Sequence, residues 1–336
     1  MRKPLTRTVL ALLLASGLRA QSPDSLLLSG IRLTIACDFE GALVVFRAYE
    51  KTHPHDPAGP FYVAATYQSA MMDAESDRHE KEFFEAVNRS IRMADSLIAA
   101  GRPDSRVYFH LGNAWSYKGL YEAKRGGLAT GVLHAHRGVG YLEKALDADS
   151  LYEDAYLGVG NYKYWSGRYY KYLRWLPWIR DERGLGIRLV RRVIEKGTLS
   201  RWVGMSSLGW IEYDRKNYGE SLRLFRRGLA EFPESRFFLW GEADCLFADG
   251  DYEQAAGRYE NLLVSILGDK HQSGYNEAEC RTKLMTAYDN IGRQEAAEAQ
   301  ARAVLAIQAD PAVLKRMERQ RKAAAEWLDR NRGAVR

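Results

Sequence analysis

A recurrence about one helix pair long constrains this chain more than any other feature. Tyr218, Ser221 and Phe225 return 34 residues later as Tyr252, Ala255 and Tyr259, while Gly209 returns as Ala243. A further copy, with about eight extra residues in the loop from Gly268 to Gly274, sets Gly292 and Ala297 against Gly250 and Ala255. Apolar residues within each copy follow the helical period, and no run alternates as a half-buried strand would. Each copy holds two helices too short to bury their faces alone, so the units must stack on their neighbours. Small residues at fixed places let antiparallel helices approach, aromatics fill the seam, and Pro233 closes a second helix.

The same code appears earlier in the chain. Ala42, Phe46 and Pro54 keep its spacing, Tyr108, Leu111-Gly112 and Trp115 repeat its aromatic and small positions, and Leu157-Gly158 and Leu208-Gly209 restate the pair. This ordered set resembles the tetratricopeptide repeat (TPR) family, most closely in residues 38–54, 108–115 and 202–265. Met205 and Glu212 stand where the family has Trp and Tyr, Ser221 replaces its Ala, and Asp154 and Asn161 hold aromatic places. The resemblance implies an all-α fold, an α-solenoid of antiparallel TPR-like helix pairs, working by binding rather than catalysis. Helix pairs are predicted at roughly 25–53, 61–100, 105–147, 152–196, 201–232, 236–265 and 275–308, the second and third longer than the standard unit. They fill a repeat domain spanning 21–309. Residues 310–336 read as a C-terminal capping helix and tail, starting at Pro311 with Leu314, Met317, Ala324 and Leu328 along one side.

The first twenty residues have the layout of a secretory signal: Arg2, Lys3 and Arg7, an apolar run from Val9 to Leu14, then small residues up to a cut after Ala20. A short buried N-terminal helix is the alternative. Export places the protein in the periplasm or elsewhere in a bacterial cell envelope. Cleavage would remove four cations and lower the formal charge from +6 to +2. Basic character is then local rather than global, so no nucleic-acid partner is expected. Three cysteines in a chain of this length make no disulfide framework. From the repeat register, Cys245 and Cys280 sit too far apart along neighbouring first helices to be bonded, and both are expected to be reduced and buried.

Residues 162–186 depart from the repeat. Between Tyr162 and Trp178 stand eight aromatics, and residues 162–192 carry a formal +7. Pro177, Gly167, Gly184 and Gly186 break or bend helices there. Three readings fit such an aromatic-basic insertion. It fills a widened core with its cations solvated, it forms a ligand surface, since Arg and Trp favour interface hot spots, or it docks on a membrane or glycan surface. Taken as a ligand surface, its partner-binding residues are Tyr162, Trp165, Arg168, Tyr169, Lys171, Arg174, Trp175 and Trp178.

Catalytic and metal signatures are missing from the pattern. The seven histidines include no pair four apart with an adjacent Glu. His53-Pro-His55-Asp-Pro57 reads as a turn, and His134 and His136 fall on different faces of one helix. Gly158-x-Gly160 follows no strand, so it is no dinucleotide loop. No cofactor is expected and no enzymatic activity. The expected function is a protein-interaction scaffold or adaptor binding a protein or peptide, acidic in character, on the concave solenoid surface. The alternative is a peripheral envelope protein holding anionic lipid or glycan through the insertion.

Overall fold

The computed structural model describes residues 23–169 and 181–331, and among them every regular element is helical. The signal-like residues 1–20, and Lys171, Arg174, Trp175 and Trp178 of the insertion, lie outside the described residues. Helices α1 (Pro23–Ile35) and α2 (Phe39–Thr52) make the first pair, and α3 (Ala58–Ala74) and α4 (Glu80–Ala99) the second. The third is α5 (Ser105–Lys124) with α6 (Leu128–Ala148), and the fourth α7 (Tyr156–Tyr169) with α8 (Arg183–Lys196). Then come α9 (Arg201–Asp214) with α10 (Tyr218–Glu231), α11 (Arg236–Asp249) with α12 (Tyr252–Leu267), and α13 (Tyr275–Asn290) with α14 (Gln294–Ala306). Consecutive helices pack on each other throughout, which is an α-solenoid of the TPR-like kind.

Local chemistry sets the element ends. Side chains of Asp38, Asp104 and Asp251 accept the amides of Gly41, Val107 and Gln254 at 2.9, 2.7 and 3.1 Å, covering donors that a helix start leaves orphaned. Gly250 ends α11 at φ +86°, a left-handed conformation that a Cβ would strain. The repeat code has a direct packing reason. Phe225 is fully buried, and a Cβ on Gly209 or Gly241 would meet its ring at 2.7 and 2.3 Å, so both glycines are notches for that one ring.

Pairs two and three run long: α4 and α5 have 20 residues each and α6 has 21, against 14 for α7 to α11. The C-terminus differs from the single helix expected. It breaks at Met317 into α15 (Pro311–Arg316) and α16 (Glu318–Asn331), and the cap is seated by Met317, Ala324 and Trp327, with Leu314 and Leu328 only half-buried. The break turns Trp327 inward against the last repeat core.

The solenoid also closes on itself. Arg236, at the start of α11, donates from Nε to Asp73 Oδ1 at 2.9 Å and from Nη2 to Asp73 Oδ2 and Asp269 Oδ2 at 2.5 and 2.8 Å. The amide of Ser273 and the side-chain amides of Gln272 and Asn276 donate to the carbonyls that end α3. The hydroxyl of Ser235 donates to Ile35 O at 2.5 Å, and the Arg32 guanidinium lies 5.0 Å from the ring centres of both Trp202 and Phe232. One core cluster accordingly joins side chains of the first three pairs to Trp202, Phe225, Phe232 and Phe238. Helix α3 is the result: nearly every residue along it is buried, on all sides. First helices were expected to line an open trough, but in this half of the molecule the chain fills that space itself.

Candidate functional site

The fourth pair carries the described part of the insertion. Tyr162, Trp165 and Arg168 follow at three-residue spacing along one side of α7, yet their polar groups diverge. Tyr162 OH lies 3.0 Å from Nδ1 of His136 on α6, whereas Arg168 Nε donates to both oxygens of Asp214 on α9, at 3.0 and 3.1 Å. Trp165 is half-buried, edge-on to Tyr164 at 5.0 Å. Tyr164 is itself fully buried with its hydroxyl on Asp214 at 2.7 Å, a structural role the sequence pattern did not separate from its neighbours. Tyr169 ends α7, and its side chain lies outside the description.

Most described cations of this segment are matched. Lys163 meets Glu182 at 2.9 Å, Arg183 meets Asp181 at 2.7 Å, and Arg192 meets Glu153 at 2.5 Å. Arg191 reaches Glu212 and Glu220 at 3.7 and 3.8 Å. Such pairs leave little net field for an acidic ligand to feel. The described portion therefore reads as an ion-paired wall around α7.

A second place has the opposite balance. Between α2 and α4, over a floor of Val63 and Tyr67 from α3, runs an open cleft of about 960 Å³. Arg47 and Lys51 stand beside Glu50 on one bank, and Lys81, Arg89 and Arg92 beside Glu82 and Glu85 on the other. It adjoins a hollow of about 460 Å³ that shares Arg89 and Arg92, adds Arg102 and His55 beside Met93 and Leu97, and has no carboxylate in its lining. Arg89 pairs with Glu50, and Arg47 Nη2 donates to Tyr67 OH at 2.7 Å. Partial burial, with Arg92 and Arg47 facing it, pushes the Arg89 guanidinium below its ordinary value. Five cations face three carboxylates, with Arg89 paired to Glu50 and Lys81 3.9 Å from Glu85, over the buried Val63 and Tyr67, and the adjoining hollow adds Arg102 to the positive side. Sequence reasoning passed over it because its cations come from helices far apart in the chain, although Arg89 and Arg92 already stand three apart beside Val87 and Ile91.

The other titratable clusters are structural. Tyr49 OH donates to Asp56 Oδ2 at 2.6 Å, and Arg106 reaches Tyr49 OH at 3.0 Å and Asp24 Oδ1 at 2.7 Å, tying together the starts of α1, α3 and α5. Asp154, in the place of a family aromatic, accepts the amides of Leu199 and Ser200 at 3.1 and 2.7 Å and so caps α9 from the preceding pair. Cys245 and Cys280 are free and buried, as expected, and burial pushes their thiols up to about 11 and about 12. His53 stacks on Tyr49 at the end of α2, where a turn was expected, and His134 lies 2.6 Å from Glu122. Among the described residues no group of three His, Cys, Asp or Glu is placed to hold a metal.

No family model and no curated protein matches the chain. Solved structures do. A human IFIT1 dimer with PPP-AAAA is similar over 90% of this chain and 62% of that one, at a TM-score of 0.54 and 12% identity. A Rap protein complexed with competence and sporulation factor is similar over 91% of this chain and 78% of that one, at 0.50 and 13%. The C-terminal part of a TPR repeat-containing protein from Cytophaga hutchinsonii covers 88% of this chain and 96% of its own, at 0.46 and 19%. At such identities the likeness is one of fold. The chain has a TPR-like fold.

Proposed function

We propose that this protein is a non-catalytic interaction scaffold of the bacterial cell envelope that holds an acidic, extended segment of a partner protein in the α2–α4 cleft. The cleft carries the reading. It is open, it sets five cations against three carboxylates beside Val63, Tyr67 and Phe84, and it adjoins a hollow with Arg102 and no carboxylate, which suits a segment of mixed apolar and acidic side chains. Support for an envelope location comes from the signal-like residues up to Ala20. A binding role, rather than catalysis, is supported by the buried thiols and by histidines engaged in packing.

Fluorescence anisotropy tests it, using a labelled twelve-residue peptide of alternating Glu and Leu and its Lys-Leu counterpart. The wild-type protein should bind the acidic peptide, more weakly as salt is added. Arg92→Glu combined with Arg102→Glu should weaken binding about tenfold or more, with an unchanged circular dichroism spectrum. Equal binding of both peptides, or of wild type and variant, would overturn the assignment.

A further inference from the structure

The α5–α6 hairpin has properties that neither the repeat nor the cleft explains. Its helices approach to backbone contact. A Cβ on Gly119 would stand 2.6 Å from the carbonyl oxygen of Gly131, and one on Gly131 would stand 2.7 Å from that of Gly119. Gly112 and Gly138 repeat the arrangement two turns away, at 2.8 and 2.6 Å. With 20 and 21 residues, the hairpin runs about 10 Å beyond a 14-residue pair, at 1.5 Å per residue. Close packing stiffens this hairpin, hereafter the finger, although its neighbour α4 is as long. Salt bridges brace its tip against the α3–α4 turn, Lys124 to Glu75 at 3.0 Å and Arg125 to Asp77.

The far end of the finger is apolar and open. Leu120, Leu128, Val132 and Leu133 are 52%, 67%, 48% and 65% exposed, a concentration of large apolar side chains that the other exposed apolar residues among the described ones do not match. No Asp or Glu occurs from Ala123 to Leu142, a stretch that includes Lys124, Arg125 and Arg137. Lys118 and Arg137 flank the finger, 5.3 and 4.1 Å from the Trp115 ring; Lys118 donates to Asn88 Oδ1 at 3.2 Å, and Arg137 is exposed. Exposed apolar side chains gathered at one end of a hairpin can press into a flat, deformable layer. Flanking cations then meet negative headgroups.

We infer that the α5–α6 finger is a membrane-docking tip, inserting Leu120, Leu128, Val132 and Leu133 into the interface of a bilayer rich in anionic phospholipid. Among the described residues no helix is long and apolar enough to cross a membrane, so this contact is peripheral. It is a different surface from the α2–α4 cleft.

Vesicle flotation tests it, with the chain lacking residues 1–20. Vesicles of phosphatidylglycerol and phosphatidylcholine in equal parts are compared with phosphatidylcholine alone. The wild-type protein should float with the mixed vesicles and much less with the neutral ones. Leu128→Glu with Leu133→Glu, at positions exposed enough to leave the helical spectrum unchanged, should reduce the floated fraction about tenfold. Leu133→Trp should raise it. Arg92→Glu with Arg102→Glu should float like wild type, which separates this surface from the cleft. A wild-type protein that stays in the dense fraction, or a double-glutamate variant that floats as well, would overturn the inference.

Discussion

Replacing His110 with leucine should stabilise the fold and flatten its dependence on acid. His110 is fully buried on α5 against the rings of Phe61, Tyr62 and Phe109, and neither ring nitrogen has a partner. Burial, helped by Arg106 and opposed by Asp56, pushes the imidazole down to about 3. An unfolded chain would take up that proton near 6.5. The folded value lies below the unfolded one, so the unfolded state binds the proton first as pH falls. Stability is intact above about 6.5 and declines toward about 3, by about 1.4 kcal/mol for each pH unit. At pH 4.5 the loss is about 3 kcal/mol, a large part of the roughly 5–15 kcal/mol that holds a domain folded. Leucine removes both the proton site and two unsatisfied nitrogens, a gain of about 1 kcal/mol at pH 7.5 and about 4 kcal/mol at pH 4.5. Urea unfolding followed by circular dichroism, for both proteins at both pH values, measures the difference. Carboxylates other than Asp56, which the imidazole itself influences, titrate alike in the two and cancel. Parallel pH profiles would refute the reasoning, since they would mean that the imidazole is free to take a proton in the folded protein.

Two further outcomes follow from the packing. Arg236→Met should lower stability by about 3–5 kcal/mol, because Asp73 and Asp269 lose the cation between them. Small-angle scattering should show a larger radius as the ends part, and an unchanged radius would count against closure. Asp154→Ala should cost about 1–2 kcal/mol and lower the thermal midpoint, since the amides of Leu199 and Ser200 lose their acceptor; an unchanged midpoint would mean that water replaces the carboxylate at no cost.

What the sequence disclosed was the local part of the structure. Gly209 and Phe225 announce their contact through spacing alone, because the notch and the ring that fills it belong to one helix pair. The capping segment was read as one stripe since Leu314 and Leu328 fit an unbroken helix, and only the bend at Met317 makes Trp327 the anchor instead. The insertion looked more cationic than its described part proves to be, because Arg168 and Asp214 lie 46 residues apart and composition counts them separately. Closure was invisible for the same reason carried further. Arg236 and Asp73 are 163 residues apart, and only the accumulated turn of the whole coil brings them together. The α2–α4 cleft was missed because its banks belong to different repeats, whose charges say nothing of facing each other until the helices stack.

Closure has an evolutionary consequence. An open array can lengthen or shorten by whole units, since each touches only its neighbours and a duplicated one finds a ready seat. A coil whose beginning is fastened to its sixth and seventh pairs has no such latitude. One unit inserted between Asp73 and Arg236 would rotate the later units out of register and leave both charges, mostly buried here, without each other. The count of hairpins in this molecule is thus held fixed by geometry, and variation is channelled into what hangs from the coil: the finger, the insertion and the loops.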